Sequence, residues 1–122
     1  MKFFFINIIL FITLVSCDKF DNKVIFENNS NKEIDSVLVI GNPLCNPLKF
    51  KKIKPNEKME GKLLNCTQIG GDGSYHIKVF TNDSLIEKVS GYYTNGYPIF
   101  FKMYIRFDKN NNITLKEDNE IY

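Results

Sequence analysis

Three cysteines and one histidine carry the strongest intrinsic chemistry in this chain. Cys17 closes the apolar stretch FITLVSC, Cys45 and Cys66 stand 21 positions apart among turn-forming residues, and His76 falls within GSYHIKVF. A thiolate can take up an acyl or alkyl group, ligate a metal or pair into a disulfide, and an imidazole can move a proton near neutral pH. A tetrahedral metal site needs more ligands than one histidine and two cysteines supply, so no metal is expected. Serine, histidine and aspartate are all present, but no nucleophile elbow or other known context surrounds any serine. Alternation places His76 on the outward face of a strand, and catalysis is not expected of it. GGDGSY at 70–75 lacks the several acidic positions and terminal Glu of a calcium loop and reads as a turn, with Asp72 and Gly73 suited to positive φ.

The setting of Cys17 comes from the residues before it. Lys2 supplies one positive charge, and residues 3–15 are apolar apart from Asn7 and Thr13. A run of 13 is shorter than the about 20 residues of a membrane-spanning helix and fits the apolar region of a secretory signal, expected as a helix detached from the rest. Leu14, Val15, Ser16 and Cys17 resemble the lipobox of bacterial lipoproteins. The resemblance implies a signal peptide over 1–16 that is cleaved, acylation of Cys17 (diacylglyceryl and palmitate-type chains), and a short tether over 17–22. Two or three acyl chains hold a protein to a membrane effectively permanently, since each buried methylene adds about 0.8 kcal/mol. Lys, Asn and Ile occur 15 times each and Ala is absent. That composition is similar to low-GC, Bacteroidota-type proteins, and with the charged Asp18, Lys19 and Asp21 it favours the outer membrane over the inner as the anchoring site.

Cleavage leaves 106 residues, enough for one domain over 23–122. A chain this size buries roughly 60–70% of its unfolded surface, so a covalent staple would help it. In an oxidising compartment Cys45 and Cys66 are expected to form a disulfide. The mature part carries 15 basic and 14 acidic residues. A balance so close to zero provides no field for nucleic acid. The cluster Lys49, Lys51, Lys52 and Lys54 reads as a lysine-guarded edge strand.

Runs of β-type residues recur about every 10 positions, and no window carries a helical period. KVIFEN (23–28) and EIDSVLVIG (33–41) read as one hairpin, and LKFKKI (48–53) and KMEGKLLN (58–65) as a second, bent at Pro55 and Asn56. Tyr75, Ile77 and Val79 begin a third pair, completed by SLIEKVSGYY (84–93). Ile99, Phe101, Met103, Ile105 and Phe107 alternate with Lys102, Tyr104 and Arg106, so one face of that strand is buried; DKNNN then turns the chain into ITLKED. The expected fold is all-β: an antiparallel two-sheet sandwich of about eight strands. FENNSNKEIDSVLVIG followed by FKKIKPNEKMEG is similar to the opening strands of immunoglobulin-like bacterial domains, although the chain has no Trp for the core of a true immunoglobulin domain.

Two further groups of residues could carry contacts. GYYTNGYPIFF (91–101) gathers Tyr92, Tyr93, Tyr97 and Phe100, which would either fill the core of a Trp-free domain or stack on a glycan or protein partner. The tripeptides at 35–37 (DSV) and 83–85 (DSL) resemble the Asp-Ser-aliphatic acceptor of Bacteroidota-type O-glycosylation; Ser84, beside a turn, is the more accessible of the two serines. The function expected from these residues is that of a non-enzymatic, membrane-anchored envelope lipoprotein with a binding or scaffolding role and no cofactor. Its partners would be the membrane, through the N-terminal lipid, and an envelope protein or glycan. An inhibitor or immunity-like protein of an exported enzyme or toxin is the alternative, and a hydrolase ranks third.

Overall fold

The computed structural model describes residues 22–64, 70–94, 98 and 100–118. The leader at 1–16, Cys17, Cys66 and Tyr97 therefore lie outside the described residues, as does the expected signal helix. Eight strands run in order: β1 (Lys23–Asn29), β2 (Ile34–Ile40), β3 (Leu48–Ile53), β4 (Lys58–Lys62), β5 (Gly73–Phe80), β6 (Leu85–Tyr93), β7 (Lys102–Asp108) and β8 (Ile113–Asp118). They form two four-stranded sheets, β4-β1-β7-β8 and β3-β2-β5-β6. The fold is the all-β sandwich that the strand spacing predicts.

Alternation decides which side chains meet between the sheets. Val24 and Phe26 of β1 and Met103, Ile105 and Phe107 of β7 face Val37 and Val39 of β2 and Tyr75, Ile77 and Val79 of β5, all buried. Removing such a side chain from water stabilises the fold by about 1.5–3 kcal/mol. Across the core the Phe26 and Phe50 rings lie 6.4 Å apart. Phe50 and Ile53 both reach it although they are three positions apart, a spacing that a regular strand sends to opposite faces. Lys52 lies between them with φ 54°, and this left-handed residue re-aims the strand. β3 is an edge strand, and Lys49, Lys51 and Lys52 are exposed along it.

Pairing differs from the sequence expectation in three places. β1 and β2 are not a hairpin: β1 pairs with β4 and β7, β2 with β3 and β5, and the two strands lie in opposite sheets. The same is true of β3 and β4. Period-two alternation identifies a strand's buried face without identifying its hydrogen-bonded neighbour, and a chain that crosses between sheets shows the same pattern as one that folds back within a sheet. The sandwich is also not wholly antiparallel, because β1 runs parallel to β7 from Lys23↔Lys102 to Asn29↔Asp108. The strand order differs from the ABED/CFG order of immunoglobulin constant domains; the common feature is the two-sheet architecture.

The β5–β6 and β7–β8 hairpins are as expected. Asn111, with φ 60°, turns the second, and Asp108 Oδ1 accepts the Asn110 and Asn112 amides at 2.8 and 3.0 Å. Loops 30–33, 54–57, 81–84 and 109–112 gather at one end of the sandwich. The start of β1 and loop 41–47 lie at the other end, called here the tether end because the chain enters β1 there.

Candidate functional site

The aromatic stretch divides between core and surface. β6 carries a bulge: Tyr75 pairs with Ser90 and Gly73 with Tyr93, so two steps on β5 oppose three on β6. Gly91, with φ +75°, sits inside it. The additional residue reverses the facing of the two tyrosines after it, placing Tyr93 in the core at 7% exposure and leaving Tyr92 47% exposed. Phe100 is fully buried, and its ring meets Tyr75 edge-on with centroids 5.7 Å apart. Phe101, expected in line with Met103, is only half-buried, because β7 begins at Lys102 and the alternation does not extend back through Phe101. Tyr93 and Phe100 are therefore core residues. Tyr92 is the most exposed of the described aromatics in this stretch, and its hydroxyl donates to Asp72 Oδ2 at 2.9 Å. Gly73 is not at a positive-φ turn: it lies within β5, where a Cβ would come 2.5 Å from the Tyr93 hydroxyl.

Among the described residues, the polar contact of the His76 side chain is with a carboxylate. Its Nε2 lies 3.6 Å from Glu87 Oε1, which Lys78 Nζ also approaches at 3.6 Å. Ser84 belongs to the β5–β6 turn, beyond Phe80, about 13 Å further along the strand at 3.3 Å per residue. There its hydroxyl lies 2.8 Å from Thr81 Oγ1 and 3.3 Å from Asp83 Oδ1. Hydrogen bonds from the Thr81 hydroxyl, and more weakly from Ser84, hold the Asp83 carboxyl below the usual carboxylate range. Ser84 is exposed, whereas Ser36 is half-buried in the interior strand β2. No cluster of three or more His, Cys, Asp or Glu suited to a metal occurs among the described residues.

A small cleft opens at the tether end, lined by Gly41, Asn42, Cys45, Leu64, Tyr75 and Tyr93 among others. Its 10 Å³ admits about one water molecule. The Tyr75 hydroxyl beside it is buried and has no hydrogen-bond partner among the described residues. Burial raises its pKa well above the ordinary tyrosine value, with the nearby Glu117 and Tyr93 adding to the effect. Cys45 is disulfide-bonded, and its partner sulfur lies outside the described residues.

The outer face of β3-β2-β5-β6 mixes apolar and charged side chains. Its rows run Lys51–Ser36–Phe80–Leu85 and Lys49–Leu38–Lys78–Glu87, and then Ile40–His76–Val89. Val89 is 65% and Leu85 47% exposed, while Leu38, Ile40 and Phe80 are half-buried. The opposite outer face carries two ion pairs, Lys23 with Glu60 at 3.1 Å and Arg106 with Glu27 at 3.3 Å, around half-buried Ile25 and Tyr104, which is 41% exposed. The mixed face is not legible in the sequence because its members come from four strands whose pairing no local pattern fixes. The one available signal is VLVI in β2, where an outward-facing Leu and Ile break the apolar-in, polar-out alternation. Compared with family models, curated proteins and solved structures, the chain matches none.

Proposed function

We propose that this protein is a non-enzymatic binding module held at the cell envelope by lipid on Cys17, and that it meets a protein partner through the outer face of β3-β2-β5-β6. One observation carries the reading: Leu85 stands exposed in register with half-buried Phe80, and exposed Val89 with His76 and half-buried Ile40, on either side of the row Lys49–Leu38–Lys78–Glu87. Exposed apolar side chains set beside charged ones give a protein partner both area to bury and charge to meet. The lipobox at 14–17 supports the anchor, and the outer membrane is the site proposed for it.

Cys66 is the proposed partner of Cys45. The described residues flanking it both reach the Cys45 loop: Leu64 lines the cleft together with Cys45, and a Cβ on Gly70 would touch the Asn42 side chain at 2.8 Å. The exposed Ser84 in its four-residue turn is the proposed O-glycosylation acceptor.

A photo-activated cross-linker at Val89, compared with one at Thr114 on the opposite face, tests the binding face in intact envelopes. Capture of one protein from Val89 and none from Thr114 supports the reading, and an exported enzyme or toxin as that protein would specify an inhibitor or immunity role. Equal labelling from both positions rejects it.

A further inference from the structure

The end of the sandwich nearest the tether presents two leucines to solvent, Leu44 at 59% and Leu64 at 75% exposure. Leu64 is the most exposed large apolar residue among the described residues. Hydrogen bonds hold the backbone at or beside each. Asn42 Oδ1 accepts the Leu44 amide at 3.1 Å and Asn42 O accepts the Cys45 amide at 3.0 Å, so Leu44 occupies the tip of a closed turn, braced by the Cys45 disulfide. Leu64 comes directly after Leu63, whose amide donates to Asn22 O at 3.0 Å, and the Asn22 amide donates in turn to Phe100 O at 3.2 Å. The entry of the chain into β1 is thus tied beside Leu64.

Covalent geometry then limits how far this end can stand from an anchored Cys17. Five residue steps separate Cys17 from Asn22, and a fully extended chain covers at most about 18 Å over them. With the acyl chains of Cys17 in a bilayer, Asn22, where the chain enters this end of the sandwich, is held within that reach of the headgroups. Exposed leucines lose unfavourable contact with water when they enter the headgroup–acyl boundary. We infer that the tether end, through Leu44 and Leu64, seats on the lipid bilayer, fixing the sandwich upright with turns 30–33, 54–57, 81–84 and 109–112 pointing away from the membrane.

This inference rests on the lipid anchor proposed above, and the two fail in different ways. The chain has no Trp. Leu44→Trp and Leu64→Trp are therefore independent single-tryptophan reporters, with Leu85→Trp as a control near the opposite end. Each full-length variant, isolated from bacterial membranes, is reconstituted into phosphatidylethanolamine–phosphatidylglycerol vesicles with and without brominated acyl chains, and the mass of the Cys17 peptide is measured. The seating is supported if, in acylated protein, indole emission from the Leu44→Trp and Leu64→Trp variants shifts to shorter wavelength and is lost to bromine, while that of Leu85→Trp persists. Acylated protein in which none of the three variants is quenched, or all are quenched equally, overturns the seating alone. An unmodified Cys17 overturns both the anchor and the seating.

Discussion

Asn28 joins the two sheets at the end far from the tether: from β1 its Nδ2 donates to the Ile53 carbonyl of β3 at 3.0 Å. The same amide donates to Lys32 O at 2.8 Å, and Asn28 Oδ1 accepts the Ser30 hydroxyl at 2.6 Å and the Ser30 amide at 3.1 Å. The Asn28 backbone pairs with both Asn56 and Glu57. One side chain therefore closes the NNSN crossover and fixes it against the KPNE bend.

Replacing Asn28 by Ala leaves the Ile53 and Lys32 carbonyls without this donor in a buried place. An unsatisfied buried group costs about 1–3 kcal/mol, so Asn28→Ala should destabilise the domain by about 2–4 kcal/mol in urea unfolding. Ser30→Ala should cost less: it removes the Ser30 hydroxyl's bonds to Asn28 Oδ1 and Lys32 O and the longer one it accepts from the Lys32 amide, but leaves both Asn28 Nδ2 bonds in place.

The bulge at Gly91 supplies a sharper contrast. A Cβ there would meet Glu117 Oε1 and would come 2.9 Å from Tyr75, and φ is +75°. Left-handed backbone in a non-glycine residue costs about 1–3 kcal/mol, and the clash adds to it. Gly91→Ala should lower the melting temperature clearly, and Gly71→Ala, where nothing lies within 4 Å, should leave it nearly unchanged.

These two positions show what can be read from the chain and what cannot. Strands such as LKFKKI and ITLKED are legible because alternation and turn residues are local properties. Asn28 is legible only as a turn residue, because its partner Ile53 is 25 positions away. Tyr92 and Tyr93 are legible only as a pair. The bulge that sends one outward and the other inward depends on Gly91 adopting a conformation that glycine permits and does not require. The mixed face on β3-β2-β5-β6 depends on pairing across crossovers, which no local pattern encodes.

Tyr75 should set the alkaline limit of stability. Its folded pKa is raised, by burial first and by Glu117 and Tyr93 after it, while in the unfolded chain a tyrosine ionises near 10. The stability from keeping the hydroxyl neutral is fully present below about pH 10 and is lost as pH rises, by at most about 1.4 kcal/mol per pH unit for one proton. Tyr75→Phe should abolish that part of the slope. Because the hydroxyl has no partner among the described residues, the variant should also be within about 1 kcal/mol of the parent, or more stable, at pH 7. A much larger loss at pH 7 would reveal a hydrogen bond to the hydroxyl.

Acid should act through two turns. Asp83 is held low chiefly by the Thr81 hydroxyl, and Asp108 chiefly by the Asn112 backbone amide, with Asn110 assisting. A folded pKa below the unfolded value contributes stability that is present above about pH 4 and disappears as pH falls through the folded value. Asp108→Asn and Asp83→Asn should each flatten the pH dependence of unfolding below pH 4. Both carboxyls are exposed, so each effect should be small and the double variant is the better measurement.

The Cys45 turn joins the covalent and apolar features of the tether end. If Cys66 is its partner, as proposed, the linkage closes a loop that spans β3 and β4, and so crosses from one sheet to the other. In the chain-entropy account a loop of this length adds about 3 kcal/mol by restricting the unfolded chain. Cys45→Ser with Cys66→Ser should therefore lower unfolding stability by about that amount while preserving the β-sheet spectrum, because the core residues Val37, Ile77 and Phe107 do not depend on the bridge. Peptide mapping without reductant should recover residues 45 and 66 in one linked fragment. If Cys66 appears there as a free thiol, the assignment fails, and the exposed position of Leu44 then depends on the Asn42 hydrogen bonds and a different bridge.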